Sequence, residues 1–171
     1  MNGDGRDDVL VSALNAEDLS SPNNAGSLTV FSGLDGSIVQ RVFGDAVGGQ
    51  LGSNVGPAGD VNGDGKNDFA GVQGSLVRVF SGADGSELKR RGGGGGTIVC
   101  SGGIDGNGDG FDDYLIGSAG VMTNTGRVQL ISGFDNSVLQ EVFGGLSGDQ
   151  LGASVVGAGD LDGDGYGDFA A

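Results

Sequence analysis

The sequence predicts an all-β protein built from repeated units of four short antiparallel strands. Apolar runs of about five residues recur along the chain and are bounded by glycine and aspartate, which is the pattern of short strands joined by turns. Glycine supplies 40 of the 171 residues, and aspartate supplies 20 of the 23 acidic ones, so the composition favours turns over helices. No segment keeps a 3.6-residue apolar period, and we therefore expect little helix.

The repeat is clearest between residues 42–70 and 142–170, where seventeen of 29 positions are identical without a gap. A weaker copy covers residues 92–115, and a truncated copy opens the chain at residues 2–11. A period of about 40–60 residues indicates stacked supersecondary units rather than one irregular domain. The predicted repeats span approximately 1–50, 51–95, 96–150 and, in part, 151–171.

Within one repeat the apolar runs predict four strands in order. Leu151–Val156 is the first, and Asp113–Gly117 is a second that is apolar enough to be buried on both faces. Arg127–Ile131 alternates polar and apolar residues, as a third strand with one polar side would, and Val138–Phe143 is the fourth. Four such strands form one blade of a β-propeller, so the chain holds about three blade-equivalents. Because glycine and asparagine tolerate positive φ, hairpin turns are predicted at Asp35-Gly36, Asp84-Gly85 and Asp135-Asn136.

The acidic loops between the first and second strands carry the strongest chemical signal. In residues 60–68, side chains with oxygen atoms occupy positions 1, 3, 5 and 9, glycine at position 6 permits a sharp turn, and position 7 offers its backbone carbonyl. This is the ligand pattern of an EF-hand, shortened so that it joins two strands instead of two helices. The candidate ligands are Asp60, Asn62, Asp64, Lys66 and Asp68 in one loop, Asp105, Asn107, Asp109, Phe111 and Asp113 in the next, and Asp160, Asp162, Asp164, Tyr166 and Asp168 in the third.

Simple electrostatics predicts a cation in these loops. Carboxylates held within a few ångströms of one another repel strongly unless a positive charge lies between them. All-oxygen ligation selects Ca²⁺ or Mg²⁺ over softer metals, and many protein ligands in a flexible loop favour Ca²⁺. A single loop with this spacing is also typical of solvated Asx turns. Three complete copies in phase with a repeat favour calcium binding instead. In the truncated first copy Asn2, Asp4, Arg6 and Asp8 fit positions 3, 5, 7 and 9 without a position 1, so we expect a weak or empty site there.

The composition excludes several kinds of function. A formal net charge of −15 leaves no basic face for nucleic acid, and the absence of histidine removes Ser-His-Asp and Cys-His catalysis and His-ligated zinc. No run approaches the ~20 apolar residues needed to cross a membrane, and we expect Cys100 to be a buried apolar residue. No spacing singles out a glycosidase-type carboxylate pair, so we expect no enzymatic activity. The acids considered for such a pair are Glu17, Asp18, Asp45, Glu87, Glu141 and Asp149.

The loop pattern D-x-[DN]-G-D-G-x-x-D, followed by an apolar strand, resembles the FG-GAP repeat of the integrin α-subunit propeller and of secreted bacterial propellers. Leu51-Gly52 and Leu151-Gly152 stand where that family has Phe-Gly, and residues 117–120 stand where it has Gly-Ala-Pro. The resemblance covers essentially residues 1–171 and is weakest at the glycine run 92–96, where we expect a poorly ordered first strand. It implies a seven-bladed ring with calcium on one face and partner binding mainly by loops on another.

These observations lead to a functional expectation. We expect a calcium-binding, integrin-α-like propeller scaffold for extracellular or cell-surface interaction or adhesion, with a protein or glycan as its unidentified partner. Two alternatives remain open: an accessory, carbohydrate-binding propeller of a secreted enzyme, and a structural repeat of a larger surface protein.

Residues 2–11 and 162–171 occupy the same phase of the repeat. We therefore also expect the chain to belong to a longer propeller or to self-associate as a half-ring, with residues 1–6 displaced or disordered.

Overall fold

The computed structural model describes residues 1–17, 23–94 and 98–171. Within them it contains thirteen strands and one four-residue helical turn, α1 (Val121–Asn124), and every strand pairing is antiparallel. The predicted all-β class with little helix is therefore confirmed. Among the described residues, no helix is long and apolar enough to cross a membrane. The expectation of poor order in the glycine run at 92–96 lies in part outside the described residues.

The strands form four sheets in which neighbours in sequence are neighbours in space. The first sheet contains β1 (Val9–Ala13), β2 (Ser27–Phe31) and β3 (Ile38–Phe43). The second contains β4 (Val55–Gly59), β5 (Asp68–Gln73), β6 (Leu76–Phe80) and β7 (Glu87–Gly92). The third contains β8 (Ile98–Ile104), β9 (Asp113–Ser118), β10 (Arg127–Ile131) and β11 (Val138–Phe143). The fourth contains β12 (Val156–Gly159) and β13 (Asp168–Ala170).

The second, third and fourth strands of the repeat lie where the sequence predicts them, whereas the first does not. It was expected at Leu151–Val156, but β12 begins at Val156. Leu151 instead forms a parallel bridge with Gly126, and the residues on both sides of it, Gln150 and Gly152, have positive φ values that no extended strand can contain. The segment before β12 is therefore a turn that reaches back to the preceding sheet.

The expected alternation of the third strand is also wrong in part. In β10, Arg127 is half-buried, and the four residues that follow it are all buried, although Gln129 is polar. Gln129 is tolerated because its amide donates a hydrogen bond of 2.8 Å to Glu141 on β11. Val128 and Leu130 belong to the apolar cluster that includes Phe169 of the fourth sheet, and Ile131 belongs to the cluster shared with the second sheet.

The core lies between neighbouring sheets, which pack face to face. Leu28 and Val30 of the first sheet meet Phe69 and Phe80 of the second, whose rings stack with centroids 5.7 Å apart. Similar apolar clusters fill the spaces between the second and third sheets and between the third and fourth. The part of the chain that the structure describes closes into neither a barrel nor a ring of sheets.

The first strands of the second and third sheets approach so closely that glycine is required at the contact. A Cβ atom added to Gly56 on β4 would lie 2.4 Å from the carbonyl oxygen of Cys100 on β8. Cys100 is buried, as expected, and its burial raises the pKa of the thiol to about 12. Because β4 and β8 lie side by side, the loops that follow them emerge next to each other.

Candidate metal centre

Three acidic loops connect the first strand to the second in successive sheets. We call them loop A (60–68, between β4 and β5), loop B (105–113, between β8 and β9) and loop C (160–168, between β12 and β13). Neighbouring loops are in direct contact, because the N–H at position 8 of one loop donates to the carbonyl at position 1 of the loop before it. The two bonds are Asp112 to Asp60, 3.0 Å, and Gly167 to Asp105, 2.8 Å.

The position-1 aspartate organises each loop through its own backbone. In loop A the carboxylate of Asp60 accepts the N–H groups of Asp64 at 3.0 Å and Gly65 at 2.8 Å. Asp105 and Asp160 accept the matching N–H groups of loops B and C at 2.9–3.2 Å with the same pattern. The loop backbone therefore folds around one carboxylate, which pulls the side chains at positions 3 and 5 towards it.

Positions 3 and 5 form successive Asx turns that face the same side. In loop A the amide oxygen of Asn62 accepts the Asp64 N–H at 3.0 Å, and the Asp64 carboxylate accepts the Lys66 N–H at 2.9 Å. Asn107, Asp109 and Phe111 repeat these bonds in loop B, and Asp162, Asp164 and Tyr166 repeat them in loop C. Each position-7 residue is thus fixed through its N–H, whatever its side chain.

Loop C also contains a compact acidic cluster. One carboxylate oxygen from each of Asp160, Asp162 and Asp168 lies within 4.8 Å of the others, and the first two of these residues are exposed. In loops A and B an asparagine replaces the acid at position 3, which removes one negative charge from the group. Loop C therefore has the largest number of carboxylates at the four candidate ligand positions.

The position-9 aspartate is the buried member of loops A and B, whereas Asp168 of loop C is half-buried. Asp68 is fully buried and accepts the N–H of Val61 at 3.0 Å and of Gly82, in the β6–β7 hairpin, at 2.9 Å. Asp113 makes the equivalent bonds to Gly106 and Gly133 at 2.9 and 3.0 Å. These carboxylates tie each loop to the hairpin of its own sheet.

Burial shifts the ionisation of these two carboxyls. Desolvation raises the pKa of Asp68 to about 6, although its two backbone donors act in the opposite direction, and the nearby Asp64 and Asp60 raise it further. The pKa of Asp113 is raised to about 6 for the same reasons. A negative charge at position 9 is therefore costly in this site unless a positive charge offsets it.

The donor set of all three loops fits a hard divalent cation. Every candidate side chain at positions 1, 3, 5 and 9 offers oxygen, and a carboxylate oxygen that accepts one N–H keeps a lone pair for a further partner. Calcium takes six to eight oxygen ligands in irregular geometry, which suits a nine-residue loop with four such side chains and a backbone carbonyl. No nitrogen or sulfur ligand lies in these loops to favour a transition metal.

The truncated first loop has the same turns, and its position-9 carboxylate contacts an ammonium group. Asn2 and Asp4 accept the N–H groups two residues further on, at 2.9 and 2.8 Å. Asp8 lies 3.0 Å from the ammonium group of Met1. Burial alone would raise the pKa of Asp8, but this ammonium and two backbone N–H groups hold it below its ordinary value. Residues 1–6 lie in this loop, and the bonds to Asn2 and Asp4 repeat those at positions 3 and 5 of the other loops.

The hairpin aspartates act as turn formers, as predicted. Asp35, Asp84 and Asp135 each accept the N–H of the serine two residues later at 2.9 Å, and these serine bonds hold each pKa below its ordinary value. The next residues, Gly36, Gly85 and Asn136, have φ values of +73°, +75° and +66°. These residues lie in the β2–β3, β6–β7 and β10–β11 turns.

The acids considered for a carboxylate pair are held mainly by arginines. Arg78, which is buried, lies 3.3 Å from Asp45 and contacts Glu87, and Arg90 bonds both acids. Hydrogen bonds from Arg90, with the charge of Arg78, keep the pKa of Asp45 and of Glu87 below their ordinary values. Glu141 pairs with Arg127 at 3.2 Å, and Asp18 lies outside the described residues.

Sequence reasoning missed an exposed aromatic groove beside loops A and B. The rings of Phe111 and Phe134 have centroids 5.1 Å apart, and Phe134 is 62% exposed. The groove has a volume of about 370 Å³, and its lining is completed by Val61, Asn62, Leu88 and Lys89. Phe111 stands at position 7 of loop B, and Phe134 follows Ser132-Gly133, a Ser-Gly pair that recurs in the β2–β3 and β6–β7 hairpins, so the two repeated motifs together could have located the groove.

Neither a scan of protein-family models nor a search of curated proteins gave a match to this chain. The repeated ligand positions and the repeated hydrogen bonds of loops A, B and C are therefore the basis on which a function is assigned.

Proposed function

We propose that this protein is a calcium-binding scaffold of propeller-like sheets that serves extracellular interaction or adhesion and not catalysis. One observation carries the proposal: loops A, B and C have the same oxygen-bearing positions, the same backbone bonds to position 1 and the same place between the first and second strands. A chance group of surface acids would not repeat its internal bonds three times. The blade arrangement itself is part of the proposal and follows from the four-stranded repeat.

Charge and burial explain why a cation would matter to such a scaffold. The chain carries a formal charge of −15, and 14 of its acids fall in the four loop copies. Two of these acids, Asp68 and Asp113, are buried, and their pKa values are raised to about 6. Calcium in the loops would compensate these charges, and ligand binding to the folded state alone stabilises that state. Extracellular modules of this kind have Kd values of about 10⁻⁴–10⁻³ M, so extracellular calcium would fill them.

Thermal unfolding with calcium and with chelator tests this function. We expect the melting temperature in about 10 mM Ca²⁺ to exceed that in chelator by many degrees, and Mg²⁺ to give a smaller shift because it keeps its own water ligands. Sodium chloride at equal ionic strength controls for general screening of the negative charge. Equal melting temperatures in calcium, in chelator and in the salt control would refute the proposal.

A second candidate function is glycan binding at the groove of Phe111 and Phe134. Aromatic side chains with a few polar groups among them are the usual lining of a small-molecule site, and Asn62 and Lys89 supply such polar groups in this groove. This observation favours the accessory, carbohydrate-binding alternative. A glycan array probed with the parent and with F134A tests it, since Phe134 is exposed and its loss should leave the fold intact. Sugar binding that survives F134A would place the binding surface elsewhere.

A further inference from the structure

Asp112, at position 8 of loop B, makes two hydrogen bonds to the backbone of loop A. Its N–H donates to the carbonyl oxygen of Asp60 at 3.0 Å, and its carboxylate accepts the Asp60 N–H at 2.8 Å. Both backbone groups of the position-1 residue in loop A are therefore held by one residue of the next sheet. The sequence pattern gave no role to position 8, which is Asp7, Asn67, Asp112 and Gly167 in the four loop copies.

A second contact joins the same two loops. The ring of Phe111, at position 7 of loop B, lies on Gly63 of loop A, where an added Cβ atom would be 2.9 Å from the ring. Gly63 has φ +72°, which favours glycine, and a larger side chain there would require the Phe111 ring to shift. Loop B therefore covers loop A with its positions 7 and 8 together.

The junction between loops B and C offers a natural comparison. Tyr166 lies on Gly108 in the same way, and the Gly167 N–H donates to Asp105 at 2.8 Å. Gly167, however, has no side chain with which to accept the Asp105 N–H. The carboxylate bond to position 1 is thus present at the A–B junction and missing at the B–C junction.

We propose that Asp112 is a positioning residue for loop A, and that it makes calcium binding in loop A depend on loop B. Asp60 folds loop A by accepting the N–H groups of Asp64 and Gly65, so a residue that fixes the Asp60 backbone also fixes the site. A cation in loop B would hold positions 7 and 8 of that loop and so favour the arrangement of loop A. By linkage, a cation in loop A would favour loop B by the same factor. This inference rests on the proposed calcium function.

Calcium titration followed by NMR resolves the three loops in the intact chain. The backbone amides of Gly65, Gly110 and Gly165 each donate to the position-1 carboxylate of their own loop and so report loops A, B and C separately. Removing an acceptor bond should weaken binding by about three- to tenfold. We therefore expect D112A to raise the calcium midpoint of Gly65 by this factor, while Gly165 stays unchanged as the internal control.

Two further variants separate positioning from charge. D112N keeps an oxygen that can accept the Asp60 N–H, so we expect its Gly65 midpoint to stay near that of the parent; equal midpoints for D112N and D112A would overturn the positioning role. D109A removes the position-5 ligand of loop B, and we expect it to raise the Gly65 midpoint in the parent but not in the D112A background. If D109A alone leaves the calcium midpoint of Gly65 unchanged, the dependence of loop A on loop B would be overturned.

Hydrogen exchange in chelator gives a readout without metal. Because Asp112 fixes Asp60, the Gly65 amide should exchange several-fold faster in D112A than in the parent or in D112N, with exchange in β10 unchanged. Unchanged exchange at Gly65 in D112A would overturn the positioning role. Calcium shifts at none of the three glycines would overturn the proposed function and this inference together, whereas shifts with unaltered Gly65 midpoints would overturn the inference alone.

Discussion

Asp64 and Asp68 belong to the same loop, yet their substitution should separate calcium binding from folding. Asp64 is exposed and accepts the N–H of Lys66 and the side-chain amide of Asn62, both of which water can satisfy, so D64A should change stability in chelator by less than about 0.5 kcal/mol. Asp68 is buried and accepts two N–H groups. D68A leaves both without a partner, at about 1–3 kcal/mol each, so it should lose roughly 2–6 kcal/mol even without calcium.

The calcium-dependent part of the stability should be lost in D64A although its fold is kept. A filled site contributes ~2.7 kcal/mol at a hundredfold excess of calcium over Kd, which is about 10 mM for a Kd of about 10⁻⁴ M. For a chain of this size that is about 5–10 °C in melting temperature. D64A should lose this increment and one calcium ion per chain.

The assay is a melt of each variant in chelator and in about 10 mM calcium, with calorimetry for the stoichiometry. D84A is the matched control, because Asp84 is an exposed hairpin aspartate that bonds a serine N–H at 2.9 Å and lies outside the loops. It should leave both the calcium increment and the stoichiometry unchanged. A parent-like stoichiometry in D64A would refute the ligand assignment, and a parent-like melt of D68A in chelator would refute the anchoring role.

Three further predictions concern single contacts. G63A should weaken calcium binding in loop A and lower stability, because the position has φ +72° and lies against an aromatic ring; a parent-like melt and midpoint would contradict this. The pKa of Glu87 is lowered by Arg90, so its contribution is present above its unfolded pKa and lost as pH falls through the lowered value; E87Q should flatten the acid side of the stability profile, and an unchanged profile would exclude this linkage. Leu139 and Val142 on β11 are 37% and 39% exposed, and apolar patches of this kind promote association. The double variant to serine should therefore lower any self-association that light scattering detects, and unaltered association would exclude this face.

Local patterns predicted much of the fold. The strands β9, β10 and β11 and the hairpin turns lie where short apolar runs and turn residues place them, because each depends on residues within one stretch of chain. The first strand was predicted too early in the sequence because Leu151 is apolar and fits a strand pattern. The positive φ values at Gln150 and Gly152 accompany a bridge from Leu151 to Gly126, before the third strand of the preceding sheet. A contact between sheets decided that boundary, and no local pattern contains it.

The candidate site was likewise predicted only where it depends on local sequence. Spacing identified every position from Asp60 to Asp68 as part of one loop, but it could not distinguish exposed Asp64 from buried Asp68, since both are aspartates in a polar stretch. The recurring Ser-Gly of each hairpin was visible in the sequence, yet its bond to position 9 depends on how the sheet folds back on its loop. The bonds between Asp112 and Asp60 likewise require two sheets in contact.

In the proposed scaffold, the double use of position 9 would link calcium binding to folding. Asp68 and Asp113 must be present for the hairpin N–H groups of their sheets to be satisfied, so neither can be replaced by an apolar residue without orphaning buried donors. Their burial beside other acids makes the charged form costly, as the raised pKa values of about 6 show. The fold needs these carboxylates at positions where their negative charge is unfavourable. A bound cation would therefore stabilise them more than it would stabilise an exposed carboxylate. In the proposed scaffold, calcium would therefore stabilise the sheets themselves as well as the loops that hold it.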